Sequence, residues 1–337
     1  MMDVINLGLI GAGRIGRLHA ENVAQRMPQA RLLAVADVAL DAAQQLAGRL
    51  GVPRATARYQ DVLEDPHIDA VLICSSSDTH AEIAIAAAAA GKHIFVEKPI
   101  DLRLERIDQV LAAVEQAGVQ LQVGVNRRFD PTFARARAAI QRGEVGQVHL
   151  LHIISRDPAP PPLTYVRVSG GLFLDMMIHD FDMARFLVGS EIAEVYTRAA
   201  VRIDPAIGEA GDVDTAVVLL TFENGVIGAI ENSRQAVYGY DQRVEVLGSA
   251  GGLSTSNVFP NELVLSTADS VRRDLPLNFF LERYAESYVR EVSAFVEAVA
   301  TGGPVPVSGL DGRSAVAAGI AARRSLDEHR PVRLAEV

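Results

Sequence analysis

A chain of 337 residues is long enough for roughly two domains at about 150 residues each. Its 49% hydrophobic and 22% charged residues support a sizeable core and exclude global disorder. The 32 Lys and Arg against 42 Asp and Glu give a formal charge of -10 with no long basic run, which argues against a binder that coats nucleic-acid phosphates. Short apolar runs at residues 4–10, 31–37, 69–74, 93–97 and 119–125 then read as buried strands. Helical stretches at 16–26, 41–50, 80–90 and 105–117 lie between them, which predicts βαβ units and a parallel sheet. The alanine run 86–90 reads as a helix packed closely on that sheet, stopped by Gly91.

After Asn126 the pattern changes. A helix at 131–142 ends at Gly143, a strand follows at 147–155, and Pro158, Pro160, Pro161 and Pro162 make a stiff loop. Residues 172–187 read as one helix. From 193 to 267 the alternation is that of strands, with a hairpin signal at Glu223-Asn224-Gly225 between 217–222 and 226–230. Helices at 284–300 and 312–326 close the chain. The expected architecture is an α/β Rossmann domain over 1–125. An α+β domain with a large, mostly antiparallel open-faced sheet follows over 126–337, and its C-terminal helix is free to pack back on the first domain. The single cysteine, Cys74, excludes intrachain disulfides and Cys-cluster metal sites and reads as a small core residue in a reducing compartment. The apolar runs are too short for a membrane span and the N-terminus starts as a strand, so a cytoplasmic protein is expected, with neither membrane nor nucleic acid as partner.

Gly11-Ala12-Gly13-Arg14-Ile15-Gly16 directly follows a strand and opens a helix. The first glycine permits the tight turn, the second lets a pyrophosphate approach the backbone, and the third lets helix pack on strand. The phosphates then face a helix N-terminus, whose unpaired N–H groups favour an anion. The next strand ends in Asp37, roughly 20 residues on, where a carboxylate binds the ribose hydroxyls of the adenosine. That carboxylate repels a 2′-phosphate, and Val38-Ala39-Leu40 offers no cation, so NAD is expected over NADP.

Three further segments carry chemistry. Lys98, in Glu97-Lys98-Pro99, stands at the C-terminal end of a strand, where open α/β sheets bind ligands. It reads either as a donor to a substrate oxygen or as a surface lysine. Asp175, His179 and Asp182 fall at i, i+4 and i+7 of the expected helix, on one face. A carboxylate beside a histidine suits a general base, but the same set also fits a salt-linked surface histidine or a metal site. Gly170-Gly171 permits close backbone approach there. Arg127 and Arg128 hold either a polar substrate or a structural ion pair with Asp130. Tyr238 belongs to a sugar-facing loop or a hairpin. Thr79 caps a helix whose His80 lines the nicotinamide pocket.

Gly11–Gly16, Glu97-Lys98-Pro99 and the segment from Gly170-Gly171 through Asp175 to His179-Asp180 together resemble the Gfo/Idh/MocA oxidoreductases, nearly end to end. Three segments, 122–130, 155–161 and 238–243, look most like the inositol 2-dehydrogenase branch. The resemblance implies an NAD-dependent enzyme that oxidises a ring hydroxyl of an inositol, myo-inositol to 2-keto-myo-inositol, without a metal. It implies Lys98, Asp175 and His179 as the catalytic trio, with Arg128, Asp157, Asp182 and Tyr238 as further substrate contacts. The cofactor is implied to rest on Gly11, Gly13, Arg14, Ile15, Gly16, Asp37, Ser75, Ser76, His80, Glu97 and Lys98. Ser76 departs from the family, many of whose members have proline there. A homotetramer is implied, with a dimer as the alternative, and a role in inositol catabolism. The competing readings are a dehydrogenase of scyllo- or chiro-inositol, an inositol derivative or an aldose. From other classes come a non-catalytic NAD-binding sugar sensor and a metal-dependent hydrolase or isomerase built on Asp175, His179 and Asp182.

Overall fold

Strands that are apolar on both faces must be covered on both faces, and the first third of the chain assembles accordingly. In the computed structural model, which describes residues 4–337, β1 (Ile5–Ile10), β2 (Ala30–Ala36), β3 (Arg54–Thr56), β4 (Ala70–Ile73), β5 (His93–Glu97) and β6 (Leu121–Gly124) form one sheet. Its order is β3-β2-β1-β4-β5-β6, and every neighbouring pair is parallel. Five of these strands coincide with the apolar runs. β3 is a three-residue edge strand in which only Thr56 is buried, too short to leave a periodic signal. The strand order reverses beside β1, which makes the carboxyl ends of β1 and β4 the place where such sheets take a ligand.

The helix Ser77–Ala89 buries Ala81, Ala84, Ala87 and Ala88, small side chains that let it lie close to the sheet, along with His80 and Ile83. It stops at Gly91, whose φ of +70° closes the helix end. Leu7, Leu9, Leu72 and Phe95 share their core with Val292, Phe295 and Val296 of the helix Ala285–Thr301. The chain therefore comes back to this unit, which runs to Phe129 and takes in Glu286–Val316.

The second unit comprises Asp130–Ala285 and Ala317–Val337. It contains β7 (Val148–Arg156), β8 (Ile192–Ala200), β9 (Thr215–Phe222), β10 (Ile227–Ser233), β11 (Asp241–Gly248) and β12 (Gly251–Ser254), a separate hairpin of β13 (Val264–Ser266) and β14 (Val271–Arg273), and β15 (Val332–Arg333). The large sheet has the order β12-β11-β7-β10-β9-β8-β15 and is antiparallel except for the pair β7–β10. The expected hairpin sits between β9 and β10, where Gly225 takes φ +86° and Asn224 Oδ1 accepts from the Val226 N–H. Along β9, Ala216, Val218, Leu220 and Phe222 are buried while Val217 and Leu219 face outward.

Two expectations need correction. Residues 193–267 are not wholly β, because Asp204 caps and Pro205 starts a short helix, Pro205–Glu209. Residues 172–187 are not one helix but two, Gly171–Asp175 and Ile178–Val188. The Leu172 carbonyl accepts from both Met176 N and Met177 N (3.1 and 2.9 Å), so an i→i−5 bond inserts an extra residue at the junction. Asp175 thus ends one helix and His179 begins the next, and the simple one-face spacing does not hold.

Candidate active site

In the glycine turn each residue has a steric reason. A Cβ on Gly11, at φ +102°, would lie 2.5 Å from the backbone of Cys74 and Ser75, and one on Gly16 would lie 1.9 Å from the Gly11 carbonyl oxygen. Those two glycines serve close packing. Gly13 has nothing within 4 Å of a Cβ position, so its side is open for a ligand. The helix Arg14–Arg26 starts without a side-chain cap and without an acid in its first turn. Its first N–H groups and its positive dipole end are left for an anion. Arg14 there is exposed and Ile15 half-buried.

Asp37 sits one residue past β2. Its Oδ2 accepts from Ala12 N (2.7 Å) and its Oδ1 from Ala39 N (2.8 Å). The carboxylate pins the glycine turn to the strand end and still has lone pairs for the two hydroxyls of a ribose. Val38 beside it is 95% exposed, and residues 38–40 carry no cation to meet a 2′-phosphate. These features fit a dinucleotide, and NAD in particular.

At the ends of β4 and β5, His80 is buried and ties two loops together: its ring nitrogens lie 2.8 Å from the Pro99 carbonyl oxygen and 3.0 Å from that of Ser75. Ser75 is half-buried and Ser76 exposed. Thr79 does not cap this helix, which starts at Ser77; its hydroxyl instead bonds the Ser76 carbonyl (2.7 Å) and the Ser75 hydroxyl (2.7 Å). Lys98 is half-buried, and its bond to Pro99 is cis.

The neighbouring Glu97 is turned inward. Its Oε1 accepts from His19 Nε2 (2.7 Å), and Glu291 Oε1 lies 3.9 Å from the same nitrogen. Among the described residues this is the one place where three metal-capable side chains converge, their ligand atoms within 4.8 Å of one another. The 2.7 Å separation is a hydrogen bond, shorter than two ligands of a first-row ion would keep. Both carboxyl oxygens of the fully buried Glu291 lack a hydrogen-bond partner. Burial, and then the charge of Glu97, push the Glu291 carboxyl well above the ordinary carboxyl range. The same two carboxyls, after burial itself, push up the Cys74 thiol, which is buried as expected. Nothing in the sequence marked this cluster, because His19 and Glu291 stand alone in otherwise ordinary helices 272 residues apart.

In the second unit, Gly170 and Gly171 adopt φ of +84° and +76°. A Cβ on Gly171 would stand 2.6 Å from Asp212 Oδ1, and the Asp212 carboxylate accepts from Leu172 N (3.0 and 3.1 Å). Asp175 is half-buried; its Oδ1 accepts from the Tyr165 hydroxyl (2.8 Å) and its Oδ2 from Arg234 Nη1 (3.4 Å). His179 is half-buried. Asp182 is fully buried, with Arg185 Nη1 4.0 Å away. Tyr165, Asp212 and Arg234 left no sequence signal because they belong to three separate segments, the short helix Leu163–Val166 and two loops, that only the chain topology gathers.

The remaining expected residues have clear surroundings. Arg128 pairs with Asp311 (2.9 Å), not with Asp130; burial raises the Asp311 carboxyl, but Arg128 and Ser308 outweigh this and lower it. Asp130 instead caps the helix Pro131–Gln141 through Thr132 N and Phe133 N and pairs with Arg283. The backbone of Asp157 continues the sheet pairing, bonding Ser233 and Ala236. The Tyr238 hydroxyl donates to Asp241 (2.6 Å) and accepts from Arg156 (2.7 Å). Burial raises Asp241, but bonds from Arg243, Tyr238 and Asn257 prevail and bring it down to about 2.

Comparison with known proteins shows the family and the fold. Residues 5–125 match the oxidoreductase family with an NAD-binding Rossmann fold, and residues 133–254 match the GFO/IDH/MocA C-terminal domain. The chain is 49% identical to the myo-inositol 2-dehydrogenase of Thermotoga maritima, over 99% of each chain. It is 46% identical to the inositol 2-dehydrogenase of Rhizobium meliloti, over 98% of this chain and 99% of the other. Among solved structures, the scyllo-inositol dehydrogenase of Lactobacillus casei with bound NAD(H) and scyllo-inositol superposes with a TM-score of 0.92 at 30% identity, covering 99% of this chain and 100% of that one. By sequence in both halves and by fold, the chain belongs to the Gfo/Idh/MocA oxidoreductase family.

Proposed function

We propose that this protein is an NAD-dependent inositol 2-dehydrogenase that oxidises a ring hydroxyl of myo-inositol to 2-keto-myo-inositol. The observation that carries this reading is the 49% identity, end to end, to a myo-inositol 2-dehydrogenase, joined to a glycine turn locked by Asp37. The cofactor rests on Gly11, Gly13, Arg14, Ile15, Gly16 and Asp37, with Ser75, Ser76, His80, Glu97 and Lys98 around its nicotinamide end. When bound, NAD supplies the hydride acceptor.

The rest falls to this chain's own side chains. His179 takes the proton of the reacting hydroxyl, as a positioned base. Asp175 orients it. Lys98 donates a hydrogen bond to the same oxygen and stabilises the negative charge that develops there. Arg128, Asp157, Asp182 and Tyr238 contribute to holding the cyclitol. The protein works in the cytoplasm, in inositol catabolism, with residues 1–125 as the cofactor domain and 126–337 as the substrate and assembly domain.

A homotetramer is part of the proposal, with a dimer as its simpler form. Leu247, Leu150 and Ile227 are register partners on three adjacent strands, and all are more than 40% exposed. A row of leucine and isoleucine across an open sheet face is what self-association covers. A second substrate, scyllo-inositol, is favoured by the bound ligand of the Lactobacillus casei structure.

The test is initial NADH production at pH 8–9 with NAD⁺ against myo-, scyllo- and D-chiro-inositol, D-glucose and D-xylose, and NADP⁺ in parallel. Turnover strongest with myo-inositol and NAD⁺ is expected. Turnover of scyllo-inositol or of an aldose alone would keep the chemistry and replace the substrate, and silence with intact NAD⁺ binding would favour a sugar sensor.

A further inference from the structure

Arg234 follows β10 and is 1% exposed, one of the largest side chains so deeply buried among the described residues. Its Nε and Nη2 have no hydrogen-bond partner. A permanently charged guanidinium with unmet donors in the interior is costly, and sequences keep such local conflicts mainly at working sites. What it touches gives the reason. Nη1 donates to Asp175 Oδ2 at 3.4 Å, and Nη2 lies 3.7 Å from Asp212 Oδ2.

These two carboxylates mark the two ends of the short helix Gly171–Asp175. Asp212 grips the first turn through Leu172 N, in a space that exists only because residue 171 lacks a Cβ. Asp175 is the last residue, with its other oxygen held by Tyr165 at 2.8 Å. One planar guanidinium therefore spans both ends of a five-residue helix too short to be rigid by itself. The Arg234 backbone is in turn fixed by its N–H on the Asp214 carbonyl (2.9 Å).

We propose that Arg234 is a positioning residue of the dehydrogenase: by bridging Asp212 and Asp175 it sets where the Asp175 carboxylate stands before the helix carrying His179 begins. This rests on the reading above, in which Asp175 orients His179. Arg234 itself touches no reacting atom. A displacement of about 1 Å in such a group is worth about 100-fold in rate, so the effect falls on kcat and leaves cofactor affinity alone.

The experiment is a double-mutant cycle on the full-length enzyme, reading kcat and KM for myo-inositol with NAD⁺, NADH affinity by fluorescence, and thermal stability. Arg234→Gln should lower kcat about 10- to 100-fold with NADH affinity within about twofold of wild type. Arg234→Lys, which keeps the charge but not the fork, should recover part of the loss. In an Asp175→Asn background, Arg234→Gln should add little, because both changes undo one arrangement. Additive losses, or an unchanged kcat in Arg234→Gln, would overturn the proposal. If Arg234→Gln does not fold, the cycle is read with Arg234→Lys, where additive losses would overturn the proposal equally. An Asp175→Asn enzyme as active as wild type would instead sink the role of Asp175, and Arg234's part would fall with it.

Discussion

Asp37 accepts from Ala12 N and Ala39 N with one carboxylate, and in the proposed cofactor site the same group takes the adenosine ribose. Replacing it with alanine removes charge-assisted bonds worth about 1.5–3 kcal/mol each and also the repulsion of a 2′-phosphate. Asp37→Ala is therefore expected to weaken NAD⁺ binding by about tenfold or more and to narrow or reverse the preference over NADP⁺, both read as Kd values by fluorescence titration. An unchanged NAD⁺/NADP⁺ ratio would remove Asp37 as the discriminator. His179→Ala should reduce kcat by about 10²–10⁴-fold, the worth of a positioned base. A variant that kept near wild-type kcat between pH 7 and 9 would show that another group takes the proton. Both residues stood out in the sequence because each belongs to a short local pattern. Arg234 did not, since nothing around it in the chain marks it as the partner of Asp175.

At the scale of elements, the helix Ala285–Thr301 brings Glu291 into the interior beside Glu97, His19 and Cys74. The folded-state carboxyl of Glu291 is raised above its value in the unfolded chain, about 4.3. Above that pH the unfolded chain gives up the proton and the folded one keeps it. Folded protein then binds more protons than unfolded, so stability from this group falls as pH rises. Glu291→Gln cannot ionise and matches the neutral form in shape. Its melting temperature relative to wild type should climb between pH 5 and pH 8, which differential scanning calorimetry at both pH values would measure. A difference independent of pH would mean that Glu291 carries its charge in the fold. The split of residues 172–187 into two helices belongs to the same scale. Apolar periodicity located the helices, but the extra residue at Met176-Met177 leaves no trace in composition and shows only in the two N–H groups that share the Leu172 carbonyl.

Over the whole molecule, the large sheet leaves a row of apolar side chains exposed. The row Leu247–Leu150–Ile227 is the place to test what covers it. Replacing Leu150 and Ile227 with lysine puts two charges where a partner surface would have to desolvate them, at little cost to the isolated fold. Sedimentation velocity should show wild type as a tetramer or dimer and the double variant as a smaller species with similar thermal stability. A wild-type monomer at micromolar concentration would end the assembly proposal.

What the sequence determined by itself was whatever is encoded within a few residues or within one period. The parallel sheet was readable from strands apolar on both faces, the dinucleotide turn from glycines whose spacing has a steric cause, and the hairpin from Asn224-Gly225. Tertiary structure decided what depends on distant segments arriving at one point. The return of Glu286–Val316 to the first unit, the inward turn of Glu97 onto His19, the pairing of Arg128 with Asp311 and the bridge of Arg234 between Asp175 and Asp212 are of this kind. A buried charge takes its partner from whichever loop the topology delivers, and no local pattern along the chain records that choice.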